Sequence, residues 1–342
     1  MIYPELKDCI PWIPLGNLPT PLEELGSSIG LTKDTLFVKR DDLSSTLYGG
    51  NKVRKLEYLF AEALLQNRDE IISIGSIGSN HALTTAILGA SLDFQVELCL
   101  FNQALSEHVK ENLQGMLAAG AKLHYTKDMP GAYQMARRQY KKLKEAGKRP
   151  YFIISGATCG LGNFGYCTAM YELKHQIENG EMPMPGSIFV PVGTCGTIAG
   201  LLAGIKLTGL PIKVFGVKVF DSFPANKYMI KYYAQNVLNY IQKQRNTIKL
   251  HIENDDFELL EAYLGDGYGI PTIESIRAVK QLEPRLKLET TYTGKTFAAC
   301  MEYCKSEAAK KPVLFWNTYN SQPFPMDTGL EDLPEELEFV FS

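Results

Sequence analysis

From about residue 70 onward, short apolar runs alternate with helical stretches, and few folds accommodate that rhythm. Residues 71–74 read as a buried strand and 82–88 as a helix; 95–100 follow as strand and 107–119 as helix. Residues 122–125 are a third strand, a basic helix comes next, and 151–154 make a fourth strand. Strands separated by helices in this order form parallel βαβ units. The pattern restarts with strand 187–190, a Gly/Thr turn, helix 198–206 and strand 213–219, with a late strand at 313–316. Helical stretches near 225–244, 272–282 and 296–308 lie between them. Phe37-Val38-Lys39-Arg40 reads as a strand of this second sheet. The fold class is therefore α/β, with two open parallel-type sheets flanked by helices. A large discontinuous domain takes residues 1–54 and 164–342, and a small α/β domain takes 55–163.

The chain's 342 residues suit two domains at roughly 150 residues each. With 45% hydrophobic and 21% charged residues it has ample material for a core. No apolar run approaches the roughly 18 residues needed to cross a bilayer. The start, MIYPELKDCIPW, lacks the basic end and apolar stretch of a signal peptide. A net charge of −3 argues against a dedicated nucleic-acid binder. Residues 137–149 hold seven bases and one acid, with the periodicity of a helix whose basic face is solvated. Seven cysteines without paired spacing read as reduced thiols of a cytoplasmic protein. The acidic tail from Asp327 ends in Phe339-Val340-Phe341, an apolar end expected to dock on the body or on a partner chain.

Open α/β sheets bind ligands beyond the C-terminal ends of their strands, where helix N-termini present free N–H groups. Gly193-Thr194-Cys195-Gly196-Thr197 is one such turn, with glycines for close approach and hydroxyls as donors. It reads as a phosphate pocket or as a plain tight connection. It matches neither the dinucleotide nor the nucleoside-triphosphate glycine fingerprint. Gly78-Ser79-Asn80-His81 opens the other sheet and suits a carboxylate, or alternatively helix capping. No histidine sits in a metal-ligand spacing, so no metal is expected. In the stretch from Arg40 to Glu57, Gly49-Gly50-Asn51 delivers Lys52 to the first turn of a helix beside two further cations. Such a setting disfavours the protonated amine, and a neutral lysine attacks carbonyls to form a Schiff base. An ordinary surface lysine is the alternative.

The Gly-Gly-Asn-Lys-x-Arg-Lys-Leu-Glu string resembles that of pyridoxal-phosphate enzymes of fold type II, the tryptophan synthase beta-like group. It is closest to the branch containing D-cysteine desulfhydrase and 1-aminocyclopropane-1-carboxylate deaminase. Residues 18–23, Ser79-Asn80-His81, the 193–197 loop, Gly267-Tyr268-Gly269 and Tyr292-Thr293-Gly294-Lys295 extend the resemblance to about residue 318. It implies pyridoxal 5′-phosphate in the interdomain cleft, held covalently by Lys52, which also moves protons. Asn80 would bond the cofactor's 3′ oxygen, and Gly193, Thr194, Cys195, Gly196 and Thr197 its phosphate. Tyr292 would stack on the ring, and Ser79, Asn80 and His81 would receive the substrate carboxylate. Ser79, Tyr268 and Tyr292 complete the catalytic set with Lys52. A homodimer acting on a small amino acid is implied as well.

Within the branch, the deaminase typically carries Glu where this chain has Thr293 and Gln where it has His81, which leans toward the desulfhydrase. The ring nitrogen would face Thr318 in preference to Thr293. Tyr319 and Asn320 replace the family's glycines after the last strand, and Ser155-Gly156-Ala157 departs from its Gly-Gly-Ser pattern. The expected reaction is β-elimination from D-cysteine to pyruvate, hydrogen sulfide and ammonia. The alternatives are cyclopropane deamination to 2-oxobutanoate, and cofactor binding without turnover in a pocket blocked by Tyr319 and Asn320.

Overall fold

The computed structural model describes residues 10–221, 223–245, 250–324 and 330–342. Two sheets organise it. A four-stranded sheet has the order β5-β4-β3-β6, from β3 (Glu70–Ser76), β4 (Gln95–Phe101), β5 (Lys122–Thr126) and β6 (Pro150–Ile153), all parallel. Every residue of β3 is buried, as expected of a central strand covered on both faces. Its connections are the helices α2 (Asn80–Ala90), α3 (Glu107–Ala118) and α4 (Met129–Glu145). Ser79, Ser106 and Asp128 cap these helices through their side chains. The basic residues of α4 lie on its exposed face.

The second sheet draws on both ends of the chain. Its six strands run β1-β2-β10-β7-β8-β9: β1 (Leu22–Glu24), β2 (Leu36–Lys39), β7 (Ser187–Val192), β8 (Lys213–Lys218), β9 (Phe257–Leu260) and β10 (Val313–Trp316). Only the β1–β2 pair is antiparallel. The flanking helices are α1 (Lys52–Leu65), α5 (Gly160–Glu178), α6 (Gly196–Thr208), α7 (Lys227–Arg245), α8 (Ile273–Leu282) and α9 (Thr293–Lys305).

Helix α5 and strand β9 were not foreseen in the sequence. Glycines 160, 162 and 165 weaken the helical pattern of α5, but packing demands two of them. A Cβ on Gly165 would stand 2.0 Å from the Arg54 carbonyl oxygen, and one on Gly162 2.3 Å from that of Ala157. Close approach to α1 outweighs the roughly 1 kcal/mol helix propensity lost at each glycine. Strand β9 is only four residues long and edges the sheet, too short for its alternation to register. The expected docking of the tail is seen at Leu337 and Val340, which are buried in the main core, while Phe339 packs beside Tyr125. The part of the tail at 327–329 lies outside the described residues. No described helix is long and apolar enough to cross a membrane.

Candidate active site

The C-terminal ends of β3 and β7 open into one cavity between the sheets. It holds about 850 Å³ of free space, the part open to solvent included. Lys52, Ser79, Asn80, His81, the 193–197 loop, Tyr268, Tyr292 and Thr318 all line it. So do Ser76, Glu289 and Tyr319, for which sequence reasoning proposed no catalytic or binding role.

The double glycine before Lys52 is required by close contact. A Cβ at Gly49 would lie 2.1 Å from the Asp42 carbonyl oxygen, and Gly50 has φ +98° against the loop that follows β10. That loop fixes the entry to α1. Asn51 donates its main-chain N–H to the Thr318 carbonyl at 3.1 Å, and Gly49 donates to Asn320 Oδ1 at 2.7 Å. Asn320 therefore stitches the backbone and does not line the cavity. Lys52 Nζ donates to Asn51 Oδ1 at 2.8 Å, and Asn51 Nδ2 to Thr197 Oγ1 at 3.0 Å.

Burial lowers the Lys52 amine to about 8. The sequence attributed such a shift to neighbouring cations, but Arg54 and Lys55 turn elsewhere. Arg54 pairs with Asp41 and Glu172. Lys55 runs beneath the 193–197 loop, where Nζ donates to the Gly156 carbonyl at 3.0 Å and to Asn163 Oδ1 at 3.3 Å. Desolvation is thus the cause that acts on Lys52.

The loop after β7 is built to receive an anion. Helix α6 begins with no side-chain cap, after Cys195 in the left-handed region at φ +67°. Its first N–H groups are left for a ligand. A Cβ at Gly196 would reach within 2.3 Å of Lys55 Nζ and 2.4 Å of Asn163 Oδ1, so the cation and the amide lie directly under the turn. Asn163 Nδ2 is buried without a partner. Burial, and secondarily Lys52, pushes the Lys55 ammonium well below its ordinary range. A buried lysine hydrogen-bonded to neutral oxygens, an orphaned amide and an open helix start together suit a phosphate.

Asn80 Oδ1 accepts from Asn112 Nδ2 at 3.0 Å and from the Tyr48 hydroxyl at 3.4 Å. Its oxygen is thereby committed, and Nδ2 is left as a donor toward the cavity. Ser79 Oγ caps Ala82 N at 3.2 Å, so capping and ligand donation are compatible: the hydroxyl accepts from the helix and keeps its proton. The His81 ring turns away, with Nε2 3.0 Å from Ser73 Oγ on β3. Burial, then Lys52 and Lys55, holds this imidazole well below its usual pKa, hence neutral. What His81 offers a carboxylate is its main-chain N–H in the first turn of α2.

Tyr268 and Tyr292 share a hydrogen bond at 2.6 Å, and Ser76 Oγ lies 3.2 Å from the Tyr268 hydroxyl. Burial raises both phenols. Hydrogen bonds with Ser76 and Tyr292 partly offset the rise at Tyr268, and either hydroxyl of the tyrosine pair can donate. Thr293 is occupied differently. Its Oγ1 accepts from Glu289 N at 3.0 Å and lies 3.1 Å from Glu289 Oε1. Glu289 in turn accepts from the N–H groups of Thr291, Tyr292 and Thr293. The two residues cap α9 reciprocally, so of the two threonines it is Thr318 whose hydroxyl has no side-chain bond among the described residues.

The residues sequence reasoning missed are Ser76, Lys55 as a loop support, Asn112 and Glu289. Lys55 carried a signal, because it stands three residues from Lys52 on one helix. The others are joined to the site only by tertiary approach.

This cavity pairs a buried, near-neutral lysine with a phosphate-suited turn, the donor set of an enzyme that holds an aldehyde-bearing phosphorylated cofactor. Residues 13–318 match the family described as pyridoxal-phosphate dependent enzymes, and the chain belongs to that family. Its cofactor is pyridoxal phosphate, and the anion cradle and Lys52 fit it. A Klebsiella pneumoniae protein named D-cysteine desulfhydrase is 32% identical over 322 residues, covering 90% of this chain and 93% of that one. A Pyrococcus furiosus protein, provisionally named a 1-aminocyclopropane-1-carboxylate deaminase, is 31% identical over 318 residues, covering 91% and 90%. Among solved structures, one described as an ACC deaminase homologue superposes with a TM-score of 0.80 at 26% identity, covering 98% of both chains. A hydrogen sulfide-producing enzyme from Fusobacterium nucleatum shares the fold, with a TM-score of 0.58, 17% identity and coverage of 90% and 94%.

Proposed function

We propose that the protein is a lyase that releases sulfide from D-cysteine, with pyruvate and ammonia as the other products. One observation carries the choice. Among the described residues lining the cavity Glu289 is the one acid, and its carboxylate is spent on three N–H groups of the α9 start. The ring partner left is then a hydroxyl, Thr318. Opening a cyclopropane calls for a strongly electron-withdrawing ring, which a free carboxylate would promote by keeping the ring nitrogen protonated. Loss of a thiol from a β carbon has a better leaving group and proceeds with a neutral partner. The desulfhydrase named among the relatives agrees with this reading.

When bound, pyridoxal phosphate supplies the electron sink for the α carbon. The 193–197 loop, with Lys55 beneath it, would bind its phosphate, and Asn80 Nδ2 would donate to its 3′ oxygen. Tyr292 would stack on the ring. Lys52 Nζ would anchor the aldehyde carbon and is the amine that would take the substrate's α proton. Ser79 and the N–H groups of Asn80 and His81 orient the carboxylate. Tyr268 and Tyr292 hand a proton toward the departing sulfur, with Ser76 holding Tyr268. The same reading places the work in the cytoplasm, where the free thiols of the described cysteines suit a reducing compartment. It also takes the chain as a homodimer, with domains at 1–54 plus 164–342 and at 55–163.

The test is a keto-acid and sulfide assay on D-cysteine, L-cysteine, β-chloro-D-alanine, D-serine and the cyclopropane amino acid. Sulfide and pyruvate from D-cysteine, with little 2-oxobutanoate from the cyclopropane, are expected. Ready turnover of the cyclopropane with D-cysteine ignored would replace this reading with the deaminase.

A further inference from the structure

Tyr319 stands on the loop after β10 and lines the cavity, yet its hydroxyl is tied to the opposite sheet. Oη lies 3.2 Å from Nδ1 of His108 on α3, and the two rings meet edge-on with centroids 5.6 Å apart. The other imidazole nitrogen, Nε2, lies 3.2 Å from Asn112 Nδ2. That amide has one admissible orientation. Nδ2 faces the Gly78 carbonyl at 2.9 Å and Asn80 Oδ1 at 3.0 Å, both acceptors, so the flipped amide would set oxygen against two oxygens. Asn112 Oδ1 is left buried without a partner as a result.

The consequence runs outward along the chain of bonds. Both Asn112 hydrogens go to those two acceptors and an amide nitrogen accepts none, so a hydrogen on His108 Nε2 would have nothing to bond there. Burial lowers the His108 pKa, and the hydrogen of the neutral ring is assigned to Nδ1. That hydrogen is donated to Tyr319 Oη. The Tyr319 oxygen is therefore an acceptor toward His108, and its own hydrogen has no acceptor among the described residues. Tyr319 lines the cavity, its oxygen is held by His108, and its unspent hydrogen makes it a free donor beside the site.

We infer that Tyr319 determines specificity: it donates a hydrogen bond to the β-heteroatom, sulfur or oxygen, of a small amino acid held beside Lys52, and His108 fixes its direction. This rests on the proposed function for the amino-acid class and adds how a β-substituent is told from a β-hydrogen.

Titration of cofactor-loaded protein with serine and alanine, followed by cofactor absorbance in the first moments before any keto acid accumulates, reads the preference. The enantiomer that binds is used. Wild type should favour serine. Tyr319→Phe, which keeps the ring and its packing, should lower the serine-to-alanine preference about five- to tenfold, the worth of one hydrogen bond. His108→Ala should lower it less, and the double variant should match Tyr319→Phe alone, because the two residues act as one unit. Equal weakening of serine and alanine in Tyr319→Phe would make the residue merely structural and overturn the inference, as would a wild type with no preference. Sulfide release by wild type reports on the proposed function separately. Sulfide without a serine preference sinks the donor role alone. A Tyr319-dependent serine preference without sulfide sinks the desulfhydrase reading alone.

Discussion

Helix α1 carries three cations within four residues into two opposite settings. On one side Arg54 is fully paired. Its guanidinium donates to both oxygens of Asp41 and both of Glu172 at 2.8–2.9 Å, and Thr20, Tyr166 and Trp316 complete the shell of Asp41. Burial alone would raise the Glu172 carboxyl, but Arg54 and Lys39 hold it well below the ordinary carboxylate range. On the other side Lys52 and Lys55 are desolvated with no carboxylate among their described partners, and both amines are driven down. Paired charge ties α1 to β2, α5 and β10. Unpaired charge is held ready for an anion and an aldehyde that the protein does not itself supply. One helix thus separates stability from chemistry by the direction its side chains take.

Three substitutions test that separation. Lys52→Ala has the largest effect: turnover and the borohydride-fixed adduct should both vanish, with no fall in thermal stability of the unloaded protein. A reduced adduct found by mass spectrometry on Lys39 or Lys55 would move the anchor elsewhere. In wild type the rate of covalent capture should climb from pH 6 and level off above about 8, because the amine reacts only when unprotonated and its folded value lies near 8. A pH-independent rate would contradict the buried-amine account.

Arg54→Met should come next. It strands Asp41 and leaves Glu172 with Lys39 alone, and breaking a buried pair costs about 3–5 kcal/mol. The thermal midpoint should fall even without cofactor. Lys55→Met should do the reverse, weakening cofactor affinity while leaving the unloaded protein as stable or more so, since it removes a desolvated charge. If both variants lose stability alike, the two faces of α1 are not distinct.

The smallest effect belongs to Thr293→Val, which removes one half of the α9 cap and should cost about 1 kcal/mol. The visible band of the bound cofactor should stay in place. A displaced band would put Thr293 at the ring after all, against the bonds that tie it to Glu289.

Much of this arrangement is legible in the sequence, for a physical reason. Strands such as β3 and β7 are buried on both faces, so they show as largely apolar runs, and the Gly-rich turns after them mark where backbone must approach closely. The Gly49-Gly50-Asn51-Lys52 segment announces itself for the same reason. What escaped notice depends on partners far along the chain. Helix α5 is written in glycines because α1 lies against it. Glu289 reads as an ordinary surface acid until its three N–H donors are seen. Asn112 has no local signature at all, since its role is defined by Asn80 and Gly78. The bulky pair after β10 divides in an unforeseen way, with Asn320 bracing the backbone and Tyr319 facing the cavity.

The pairing of β2 with β10 also sets an order of events in time. Apart from the short β1, β2 has no strand neighbour but β10, and the N–H of Asn51 waits for the carbonyl of Thr318. All four strands of the other sheet lie between residues 70 and 153, so that sheet can close while translation is still under way. Lys52 leaves the ribosome long before Thr318, so its bracing waits for the strand that comes later. A nascent chain stalled before residue 313 would carry the reactive lysine without its support. Newly made protein should acquire cofactor only after β10 has emerged and paired.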